Sequence, residues 1–126
     1  MAIITTRMVG NKKRTLTLSY QSCQAQYKTA IEDKVIADLD HTRSMANKNL
    51  KKLEEAMEAY RTTHEEYILQ DEVEISVLNS EEKVFETYSK QYIEAEQWIG
   101  KILSRVKELE DEKAAQEYAQ LAEALA

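Results

Sequence analysis

A chain with no proline and only Gly10 and Gly100 among its 126 residues gives a helix almost nowhere to stop. Hairpin strands need turn chemistry, usually glycine or an Asn-Gly pair between alternating apolar runs, and that chemistry is missing. The expected class is therefore all-α: an elongated coiled-coil hairpin or bundle of two or three helices. The length suits one domain and is short for two.

The apolar residues show how such helices would pack. Ala46, Leu50, Leu53, Met57, Tyr60, His64 and Tyr67 step alternately by four and three, the seam of a helix that lies lengthwise on another. Phe85, Tyr88, Tyr92, Ala95, Ile99, Ile102, Val106 and Leu109 follow the same rule. A shorter series, Leu16, Tyr20, Cys23, Tyr27 and Ala30, predicts a helix from Lys13 to Ile36. The stripe slips around "ADLDHTRS", where Asp40, Thr42 and Ser44 are candidate caps, so a break or kink is expected at 38–44, with one continuous helix as the alternative.

Between the two long seams lies "LQDEVEISVLNSEEKVF", rich in acids: Asp71, Glu72, Glu74, Glu81 and Glu82. Asn79 with Glu82 three residues on can form a capping box, which predicts a helix starting near Ser80. The two seams would then run antiparallel, over 44–69 and 80–112. Gly100 inside the second seam predicts a kink or a close helix approach. Residues 1–12 are expected to form a flexible basic arm, 13–112 the helical domain, and 113–126 a helical tail that frays after losing the heptad.

Charge is unevenly distributed. No acid precedes Glu32, while Arg7, Lys12, Lys13, Arg14 and Lys28 do; with a net charge of −6, the remainder carries −11. A basic head of this kind either solvates a helix start or meets phosphates, whose counterions it releases. Arg7, Lys12, Lys13 and Arg14 are thus the candidate contacts for RNA or another anion. No stretch reaches the run of about 18 apolar residues that a membrane span needs. The lone Cys23 suits a reducing compartment, so an intracellular, cytoplasmic location is expected, with mitochondrial import the weaker alternative.

The pair His64-Glu65 in "YRTTHEEYILQ" resembles the front of a zinc-binding helix. That chemistry needs a second histidine four residues on, but the position holds Ile68, and the other histidine, His41, lies far upstream. His64 therefore reads as a seam residue. Cys23 shares the apolar stripe of Tyr20 and Tyr27, where a thiol behaves as a small hydrophobe. Two isolated glycines cannot build a phosphate-cradling loop. No cofactor and no catalytic or metal residue is expected. Trp98, one step off the seam, is the candidate anchor for a partner.

Two segments, "LKKLEEAMEAYRTTHEEYI" and "EEKVFETYSKQYIEAEQWI", separated by an acidic turn and preceded by the basic "KKRTLT", carry a resemblance over Lys12 to Lys101. The arrangement resembles the N-terminal helical region of Gag-like polyproteins from BEL/Pao-type retrotransposons. The resemblance implies a structural role at the head of an assembling polyprotein. The chain itself has no Asp-Thr/Ser-Gly protease motif, no zinc knuckle and no Tyr-x-Asp-Asp motif.

The expected function is a non-enzymatic self-association module that pairs with itself or another helical protein. Its rivals are an adaptor for a host protein and an RNA-binding arm formed by residues 1–14.

Overall fold

A computed structural model describes residues 3–70 and 72–126; Asp71 of the acidic turn lies outside the described residues. Helices α1 (Thr6–Tyr27), α2 (Leu39–Ile68) and α3 (Ile75–Leu125) pack pairwise as an all-α bundle. The hydrogen bonds Thr6–Tyr67 and Asn49–Gln26 make α1 antiparallel to α2, and the pairs Lys13–Glu81 and Tyr20–Glu94 make α1 parallel to α3.

Each helix buries a heptad-spaced line. On α1 it is Val9, Leu16 and Cys23, continued by Ala30 in the helical turn that follows, all seven apart. Ala46, Leu53, Met57, Tyr60, His64 and Tyr67 are buried on α2, with Leu50 half-buried; Ala95, Ile99, Ile102 and Val106 are buried on α3, with Phe85, Tyr88 and Tyr92 half-buried above them. The seam residues read from periodicity therefore face inward. Three helices also demand a second contact line on each, since every helix touches two others. On α2 that line is Asn49, Ala56 and Thr63; on α3 it is Val84, Gln91 and Trp98.

The helix starts differ from expectation. α1 opens at Thr6, where the Thr5 side chain accepts from the Met8 amide at 3.2 Å, and Val9 is buried, so residues 6–12 are part of the bundle and not a flexible arm. Gln70 secures the approach to this helix: the Ile4 amide donates to its Oε1 at 2.6 Å, and its Nε2 donates to the Ile4 carbonyl at 2.9 Å. α3 starts at Ile75, and the Asn79–Glu82 capping box does not form, because Leu78 and Glu81 extend the same four-and-three stepping toward the N-terminus. With no glycine or proline in the way, the helix follows its seam.

The first interhelical break also lies earlier than 38–44. α1 passes into a π-helical turn, Lys28–Glu32, and Lys34 then adopts φ 57°, the left-handed conformation that usually closes a helix. Asp38, not Asp40, Thr42 or Ser44, caps α2 by accepting from the His41 amide at 3.0 Å. The sequence has no glycine for the left-handed position, which is why the break left little trace in composition.

Gly100 faces open space: a methyl group added there would meet no atom within 4 Å, so no close helix approach requires it. Gly100→Ala is expected to stabilise the bundle by about 1 kcal/mol, the usual difference between the two residues inside a helix. Thermal melting of the variant measures it.

Candidate interaction surfaces

α3 is much longer than its neighbours, 51 residues or about 76 Å at ~1.5 Å per residue. Glu110 pairs with Arg43 of α2, and Lys113, Ala114 and Glu117 then face residues 36–40 across an open groove. Residues 111–126 are all exposed, yet helix continues to Leu125. On this projection Ala114, Tyr118, Leu121 and Leu125 step by four, three and four, which places them on one face. Tyr118 is 75% and Leu125 79% exposed. This stripe was missed in the sequence because it does not continue the phase of the seam before it; counting afresh from Ala114 would have found it.

A second surface is an open groove lined by α1 and α2 alone. Its floor is made of small residues, among them Ser19, Ala56 and Ala59, and Leu18 stands 55% exposed on one wall. Small side chains let an incoming helix approach closely.

Trp98 is not an exposed anchor. Its ring packs against Tyr20 at 5.1 Å and stacks on Tyr27 at 5.7 Å, and the Lys101 ammonium lies over the Tyr27 ring, 5.8 Å from its centroid. The step off the seam aims it at α1, along the second contact line. Nearby, the Tyr20 hydroxyl donates to Glu94 at 2.6 Å, and that bond, with burial and the carboxylate charge, pushes the phenol up to about 12. The Cys23 thiol, fully buried, is pushed up to about 11 by burial, far from the thiolate character that nucleophilic chemistry needs.

The four basic candidates do not act as one patch. Lys13 forms a 2.9 Å ion pair with Glu81 and is only 19% exposed. Arg7 and Arg14 are exposed and, seven residues apart, share a face of α1; Lys12 is exposed but turned well around the helix. The helix thus divides a run that looks contiguous in sequence.

His64 and Tyr60 form a polar pair inside the core. The imidazole stacks on Phe85 at 4.4 Å, and neither its Nδ1 nor the Tyr60 hydroxyl has a hydrogen-bond partner among the described residues. Burial lowers the His64 pKa, against the opposing pull of Glu81 and Glu82. Among the described residues no group of three or more His, Cys, Asp or Glu side chains is placed to hold a metal ion, and no helix is long and apolar enough to cross a membrane.

No family model matches the chain, and no curated protein or solved structure matches it either.

Proposed function

We propose that the protein is a helical self-association module that acts by docking rather than by catalysis. The observation that carries this reading is the projecting end of α3: beyond the groove that Ala114 and Glu117 share with residues 36–40, the helix runs on with Tyr118, Leu121 and Leu125 exposed on one face and covered by none of the described residues. An isolated helix of this length is marginal in water, so packing of its apolar face against another surface is what would hold it. The resemblance to BEL/Pao Gag-like leaders is compatible with such a role and adds a polyprotein context, which reading the transcript beyond Ala126 for protease and polymerase motifs would test.

Light scattering and sedimentation across a concentration series test the core of the proposal. The wild-type mass is expected to rise with concentration, and Tyr118→Glu/Leu121→Glu to hold it at the monomer without lowering the melting temperature. A wild-type mass fixed at 14.6 kDa up to roughly millimolar concentration, where even weak contacts form, would refute the reading.

A further inference from the structure

We infer that the groove between α1 and α2 receives the projecting end of α3 from a second copy of this chain. The inference rests on the self-association reading above and names the surface that reading leaves open.

Length is the first argument. The stripe from Ala114 to Leu125 spans about 17 Å, and the α1 wall of the groove from Lys12 to Ser22 spans about 15 Å, both at ~1.5 Å per residue. Shape is the second. The projecting helix offers one large aromatic and two leucines on a narrow face, and the groove offers small side chains with Leu18 at its edge. Large side chains entering a small-residue groove is how packed helices interdigitate.

Charge complementarity is the third argument, and it points to a second copy as the occupant. Asp111 and Glu117 lie about 60° to either side of the apolar stripe at ~100° per residue. Lys12 stands on the α1 wall of the groove and Lys52 on the α2 wall. Because the helices are antiparallel, with Thr6 level with Tyr67, the two lysines stand at diagonal ends about 14 Å apart along the groove; the two acids are offset by about 9 Å at ~1.5 Å per residue, a difference that the long lysine side chains span. Each surface also carries a single charge of the opposite kind, Glu55 in the groove and Lys113 on the projection.

The occupant cannot come from the same chain. α1 and α3 are parallel, with Tyr27 level with Trp98, so Ser22 lies about 25 Å along the axis from residue 111, and α3 runs away from it. Reciprocal exchange closes a two-fold dimer, whereas one-way docking builds a chain of copies; both contain the same interface.

Charge reversal tests the assignment in the full chain. Lys12→Glu/Lys52→Glu and Asp111→Lys/Glu117→Lys are each expected to weaken self-association about tenfold or more, measured by sedimentation equilibrium with melting curves as the folding control. The four substitutions together are expected to restore it to within about threefold of wild type. Ser22→Trp, which fills the groove from an exposed position, is expected to abolish association. Should Tyr118→Glu/Leu121→Glu dissociate the protein while the groove reversals and Ser22→Trp leave the affinity unchanged, the groove assignment falls and self-association through α3 stands. A wild type that never associates overturns both.

Discussion

Ile99→Asp is expected to unfold the bundle. Ile99 is fully buried in the middle of the α3 seam, and its replacement both removes the apolar contacts and places a carboxylate where no partner can reach it. Truncating a buried isoleucine alone costs about 2–5 kcal/mol, and an unpaired buried charge adds to that. A single domain has only about 5–15 kcal/mol in total. Leu53→Asp, equally buried on α2, is expected to do the same. Ile93, on the same helix but 51% exposed, provides the control: Ile93→Asp should change stability by no more than about 0.5 kcal/mol. Circular dichroism melts of the three variants check the prediction, and a folded Ile99→Asp would mean that the seam faces elsewhere.

Tyr60→Phe is expected to stabilise the protein. The Tyr60 ring packs within about 5.5 Å of the Phe85 and Tyr88 rings, so phenylalanine keeps the packing, while the hydroxyl it removes is buried without a partner among the described residues. Relieving an orphaned polar atom is worth about 1–3 kcal/mol, or roughly 3–6 °C per kcal/mol for a domain of this size. The neighbouring His64 adds a pH dependence of definite sign. Burial lowers its pKa below the ordinary 6.5, so the unfolded chain binds the proton more readily than the folded one. Stability is thus full above about pH 6.5 and declines as pH falls from there toward the folded-state value. Urea midpoints at pH 7 and pH 5 should differ more for wild type than for His64→Phe.

The seams were legible because burial on helices repeats every three and four residues, and Leu53, Met57, Tyr60, Ile99, Ile102 and Val106 keep that rhythm with apolar side chains. The start of α1 was hidden by Lys13, which occupies the seam position between Val9 and Leu16 and reads as the end of the apolar series. Trp98 was misplaced for a different reason. A hairpin needs one contact line per helix, a three-helix bundle needs two, and a residue one step off the seam lies on the second. The groove was invisible in sequence, since its floor is built of serine, threonine and alanine from two helices that only the fold brings together.

The Lys13–Glu81 pair has a consequence for which arrangement of the helices wins. Val9, Leu16, Cys23 and Ala30 are evenly spaced, so α1 could slide along α3 by one repeat and still bury apolar side chains at every step. After such a slip Lys13 would lie level with Tyr88, and Glu81 level with Thr6. Neither charge would then face its native partner, and separating a half-buried pair carries a desolvation cost. A single ion pair in an otherwise repetitive interface thereby distinguishes the native alignment from that slipped copy, much as one buried polar residue fixes the alignment of paired helices.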